Sequence, residues 1–105
     1  MAINYIKEIS ERFGLEEEDL VRQSLLTFLM EKKRACLQDR LALLSRYGVT
    51  NAEELEERIA QGTIQEHPAW ENVIILENLE TEIERIDRDI ERLSTDSSYR
   101  PAEVP

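Results

Sequence analysis

A chain of 105 residues with a net charge of −10 fits one domain and is too short for two independent cores. Its 41% hydrophobic content allows a core, while its 34% charged residues exceed the roughly 25% of a typical globular chain. Excess acid argues against binding nucleic-acid phosphates, a single cysteine excludes an intramolecular disulfide, and no stretch approaches the ~20 apolar residues of a membrane span.

The first element is a short helix predicted over residues 3–13. Ile3, Ile6, Ile9 and Phe13 recur at helical spacing and share one face. Gly14 stops it by tolerating a positive φ. Glu16, Glu17, Glu18 and Asp19 then place negative charge where a helix start favours it. A second helix is predicted over roughly 16–47, about 46 Å long at 1.5 Å per residue. Its apolar positions include Leu20, Val21, Leu25, Leu26, Leu29, Met30, Leu37, Leu41 and Leu44. The apolar face is broad up to Met30 and thins across Glu31-Lys32-Lys33-Arg34, so the first half of this helix is expected in the denser core. Lys32-Lys33-Arg34, flanked by Glu31 and Asp39, reads as a solvated midsection, and Cys36 as a small filler.

Gly48 ends the long helix, and Thr50-Asn51-Ala52-Glu53 has the form of a capping box with Thr50 as the cap. A short connecting helix follows to about Ala60, with Leu55 and Ile59 inward, and Gly62 closes it. Ile64 is expected to anchor the next loop. Pro68 takes the first position of the last helix, where its missing N–H costs nothing. Along that helix Leu76, Leu79, Ile83, Ile86, Ile90 and Leu93 alternate spacings of three and four, a heptad seam. The seam can pack on the second half of helix two as an antiparallel hairpin, or on the same helix of a second chain.

The fold class is therefore all-α: a short N-terminal helix, then two long helices in an antiparallel hairpin with a short connecting helix. Two long helices leave more apolar surface than one short helix covers, so a homodimer is also expected. Residues 1–94 form one domain, with 1–47 the dimerisation half and 48–94 the acidic partner-binding half. Residues 95–105 are expected to be disordered. Ile6, Ile9, Phe13, Leu20, Val21, Leu25, Leu26, Leu29 and Met30 are the candidate dimer and core positions.

Charge supports this division. Residues 1–47 carry eight acidic and eight basic side chains, whereas 48–105 carry fifteen and five. A basic protein surface is the natural complement of the second half. Glu77, Glu80, Glu84, Asp87 and Glu91 on the last helix are candidate contacts for it. Trp70, in the first turn of that helix, either covers the end of the core or anchors a partner, since tryptophan is enriched at binding hot spots. No catalytic set assembles around the one histidine, His67, and no glycine loop could cradle a phosphate. The four residues Glu80, Glu84, Asp87 and Glu91 can share a flank but lack the Glu-x-x-His motif of helical metal sites, so neither metal nor cofactor is expected. The N-terminus lacks a signal-peptide pattern, and the cytoplasm is the expected location.

The segment IKEISERFGLEEEDLVRQSLLTFL, residues 6–29, resembles the two-helix part of ribbon-helix-helix proteins. The matching positions are Ile9, Phe13, Gly14, Leu20, Val21, Arg22, Leu25 and Leu26. Residues 46–71 are similar to small helical antitoxins of prokaryotic toxin–antitoxin cassettes. The resemblance implies a dimeric scaffold and neutralisation of a basic toxin by a long acidic helix. The ribbon-helix-helix family reads DNA with an N-terminal strand of alternating basic or polar side chains, and Met1-Ala2-Ile3-Asn4-Tyr5 is short and uncharged for that task. The expected function is thus a non-enzymatic, antitoxin-like protein-binding module. The alternatives are a ribbon-helix-helix repressor and a coiled-coil scaffold.

Overall fold

The computed structural model describes residues 2–95 as four helices: α1 (Ala2–Arg12), α2 (Glu17–Tyr47), α3 (Ala52–Ala60) and α4 (Glu66–Thr95). No strand occurs among the described residues. The all-α hairpin is therefore the architecture, with α4 antiparallel to α2 and α3 as the connecting helix. Three of the four boundaries follow local chemistry. Gly48 adopts φ 65° and its N–H bonds back into the last turn of α2, closing that helix in the left-handed conformation glycine tolerates best. His67 is extended at φ −115° and ψ 126°, as a residue before proline must be, so regular helix begins at Pro68. At α3 the cap sits one residue later than expected. Asn51 Oδ1 accepts from the Glu54 N–H at 2.7 Å, while the Glu54 carboxylate accepts from the Thr50 N–H and hydroxyl at 2.8 and 2.7 Å. Asn51 caps α3, and Glu54 takes the role expected of Glu53.

These hydrogen bonds, first from the Thr50 hydroxyl and then from its N–H, hold the Glu54 carboxyl below the usual carboxylate range; Arg58 adds to the effect. A depressed folded-state pKa means the contribution is present above the unfolded value and is lost as pH falls through the folded one. Acid should therefore loosen the start of α3, and Glu54→Gln should remove that pH dependence. The measurement is a carboxyl NMR titration of Glu54 together with α3 amide exchange. A Glu54 midpoint in the ordinary range for glutamate contradicts it.

The hairpin packs α2 and α4 together along two facing lines of side chains. On α2 the inward line is Arg22, Leu26, Leu29, Lys33, Cys36, Arg40, Leu43 and Tyr47, alternating spacings of four and three, and every member is buried or half-buried. Facing it, Asn72, Leu76, Leu79, Ile83, Ile86, Ile90 and Leu93 keep the same alternation on α4. Arg22 Nη1 donates to the Leu93 carbonyl at 2.7 Å, Lys33 pairs with Asp87 at 2.6 Å, and Arg40 with Glu80 at 3.2 Å. Asn72 donates to the Tyr47 hydroxyl at the far end. Seven residues forward on α2, from Lys33 to Arg40, match seven back on α4, from Asp87 to Glu80, which fixes the antiparallel register. The seam of α4 is thus used within the chain.

The dense core lies at the opposite end from the one expected. Leu44, Val49, Ala52, Leu55, Ala69, Val73 and Leu76 form the buried cluster, with Leu43, Tyr47, Ile59 and Ile64 packed against it. Three elements meet there: the end of α2, all of α3 and the start of α4. Around the first half of α2 only the three turns of α1 and the last turns of α4 are at hand among the described elements, and α1 packs chiefly against α2. Of the candidate core residues there, Ile6, Leu20, Leu26 and Leu29 are half-buried, whereas Ile9, Phe13, Val21, Leu25 and Met30 are exposed. Met30 also faces away from the others. At 100° per residue it stands on the opposite flank of the seam from Val21, Leu25 and Phe28, beside Leu37 and Ile90.

The result is a rod of 60 × 29 × 19 Å, with a radius of gyration of 20.0 Å against about 13 Å for a compact domain of this length. Thr95 belongs to α4, its hydroxyl donating to the Glu91 carbonyl at 2.8 Å. The rest of the tail expected to be disordered, residues 96–105, lies outside the described residues. No described helix is long and apolar enough to cross a membrane.

Candidate docking surfaces

Two exposed surfaces stand out, on different flanks of the hairpin. The first runs along α4. Trp70, Glu77, Glu84 and Glu91 recur every seven residues, so the winding of the helix sets them in one line beside the seam. All four are exposed. Trp70 retains 44% of its surface in water. The inward positions of that turn belong to Ala69, Asn72 and Val73, and it is Asn72 that meets Tyr47. Ile74, one turn beyond Trp70, is also exposed and extends the apolar head of the line.

Two candidates leave this set. Glu80 and Asp87 point toward α2, where they hold Arg40 and Lys33. Glu80 also accepts from the Ala52 N–H at 3.4 Å, linking the start of α3 to the hairpin. Their work is internal, because a partly buried cation on α2 needs a carboxylate opposite it. Glu77, Glu84 and Glu91 form no ion pair among the described residues. On neighbouring α3, Glu53, Glu56 and Glu57 are exposed as well, so negative charge continues around this end.

The second surface is apolar and lies on α1 and the first half of α2. Tyr5, Ile9 and Phe13 form one stripe at i, i+4, i+8; Val21, Leu25 and Phe28 form another. All six are exposed. Tyr5, Ile9, Val21 and Leu25 line the groove between the helices, with Ile6 and Leu20 at its floor. Leu25 also borders a second groove, shared with Phe28, Leu29 and the end of α4 at Leu93. Among the described side chains of α1 the inward residues are Ile6 and the fully buried Ser10, whose hydroxyl donates to the Lys7 carbonyl at 2.9 Å. A serine at the contact lets α1 sit close to α2 and turns its larger apolar side chains to the sides. Tyr5 and Phe28 were not among the candidate positions; their i, i+4 and i, i+3 relations to Ile9 and Leu25 were the available signal.

His67 is exposed, its Nε2 3.9 Å from the Glu71 carboxylate, and the Thr63 hydroxyl is held by the Arg58 carbonyl at 3.0 Å. Cys36 is half-buried in the seam. No group of three or more metal-ligating side chains converges among the described residues.

Among known families, the model described as the uncharacterized protein MJ0235 family matches residues 1–98. Comparison with curated proteins and with solved structures gives no match.

Proposed function

We propose, from the premise that this chain belongs to the MJ0235 family, that it is a non-catalytic protein-binding module whose acidic α3–α4 face docks a basic protein. The observation that carries the reading is the exposed line of Trp70, Glu77, Glu84 and Glu91. An aromatic anchor at one end can enter a pocket on a partner, and three unpaired carboxylates down the helix attract a basic surface and fix its orientation. Residues 48–94 carry thirteen acidic and four basic side chains, so the attraction extends over this whole half.

The specific form we favour is antitoxin-like: the acidic half covers a small basic toxin, as the resemblance implies. The ribbon-helix-helix repressor reading is weakened because Ala2–Tyr5, where that family's strand would fall, belong to α1. The scaffold reading is weakened because the α4 heptad seam already has a partner in α2.

The test is co-expression with the product of the adjacent gene, followed by affinity measurement at several salt concentrations. The wild type should form a complex that weakens with salt. Trp70→Ala should weaken it about 30-fold, as loss of a hot-spot aromatic does. A triple variant E77K/E84K/E91K should slow association at least tenfold. A complex indifferent to both variants, or no complex with any basic partner, contradicts the reading.

A further inference from the structure

We infer that the exposed apolar face of α1 and α2 is covered by a second copy of this chain, through a two-fold contact that leaves both acidic stripes free. Tyr5, Phe13 and Phe28 keep 63%, 67% and 57% of their surfaces in water, with Ile9, Val21 and Leu25 exposed between them. Taking about 200 Å² for each aromatic and somewhat less for each aliphatic side chain, these six leave roughly 500 Å² of apolar surface per chain. That is at the upper end of what a soluble monomer shows as one patch. Two copies placed face to face remove about 1,000 Å² before any polar rim is counted, which reaches the threshold of a specific interface.

Charge selects a like copy as the occupant. The half that bears this face has eight acidic and eight basic residues, so two copies meet there without net repulsion. The other half carries the entire excess of −10 and resists self-contact. At the edge of the patch Lys32 stands 5.6 Å from the Phe28 ring centre. The same half carries Glu16, Glu17, Glu18 and Asp19, so both signs of charge border the face, which suits a self-complementary contact. Glu84 borders Leu37 on the flank of the hairpin that bears Met30, opposite Leu25 and Phe28, and Trp70, Glu77 and Glu91 share its line, so each protomer keeps all four outside the contact. The dimer then presents two acidic stripes and can engage two basic sites at once. That last consequence rests on the docking function proposed above; the self-contact does not.

The experiment is the solution mass of the full chain by sedimentation equilibrium across about 1–100 µM, the range in which an interface of this size assembles. The wild type is expected at twice 12.3 kDa. Leu25→Glu and, separately, Phe28→Glu should shift it to the single-chain mass with unchanged helical circular dichroism. Met30→Glu, on the other flank of α2, should remain dimeric. Should Leu25→Glu fail to fold, Phe28→Glu and the concentration dependence of α1 amide exchange in the wild type still decide the matter. A wild type of 12.3 kDa throughout, a mass change only when a basic partner is added, or a dimer untouched by both glutamates overturns the self-contact. Trp70→Ala should leave the mass unchanged, so a monomeric wild type that still binds its basic partner refutes the dimer and spares the docking function.

Discussion

Leu55→Ala is expected to lower stability by about 3 kcal/mol, within the range found for leucine truncation in a core that cannot collapse. Leu55 has no exposed surface and belongs to the one cluster where three elements meet. The helix carrying it, α3, has nine residues and is too short to persist alone. Its hold on the hairpin comes from Ala52, Leu55 and Ile59 on its inner face and from the Glu80 contact at its start. Removing three carbons at the centre of that face leaves a void bounded by α2 and α4, whose register is pinned by Arg40–Glu80 and Lys33–Asp87. The walls therefore have little freedom to close. Set against a total stability of about 5–15 kcal/mol for a domain of this kind, the loss is severe. It should appear as a melting temperature lower by roughly 15 °C. Leu41→Ala is the contrast: Leu41 is exposed, and its loss should stay within about 0.5 kcal/mol. Urea melts of the two variants decide it, and equal effects contradict the location of the core.

The helices were legible because their signals are local. Gly14, Gly48 and Pro68 stop and start elements within a turn of themselves, and the α4 seam is all apolar, so spacing alone exposes it. The matching line on α2 was not legible. Arg22, Lys33 and Arg40 occupy three of its eight inward positions, and a pattern search discards charged residues as solvated. They are inward because Asp87, Glu80 and the Leu93 carbonyl lie opposite, and those groups are distant in sequence. Meanwhile Leu37 and Leu41 advertised a face that stays exposed among the described residues. The core end was misplaced for a related reason. Counting large apolar residues favours the first half of α2, but burial followed the small ones, Ala52 and Ala69, which let α3 and α4 approach closely. The same one-residue difference in phase put Ala69 inward and left Trp70 outside. Along α4 an offset of three residues separates Glu77, Glu84 and Glu91 from Glu80 and Asp87, a division that total acidity could not make.

Arg22→Met should cost about 2 kcal/mol, and the damage should begin at the far end of the chain. A helix leaves its last carbonyls without amide donors, and at the end of α4 the Leu93 carbonyl is met by a guanidinium from the second turn of α2. Arg22 is only 6% exposed, so water competes weakly for this bond, and a charged donor in such a place contributes about 1.5–3 kcal/mol. Its positive charge also opposes the negative end of the α4 dipole. Methionine keeps much of the apolar stem that packs beside Leu26 and Leu93 positions of the seam, so the substitution chiefly removes the donor and the charge. Without them the last turn of α4 should fray, releasing Leu93 and opening the groove that Leu25 and Phe28 share with it. Amide exchange should therefore quicken first over the final turn of α4, ahead of α3 and the buried cluster. Uniform acceleration along the chain contradicts a buried cap that joins the start of α2 to the end of α4.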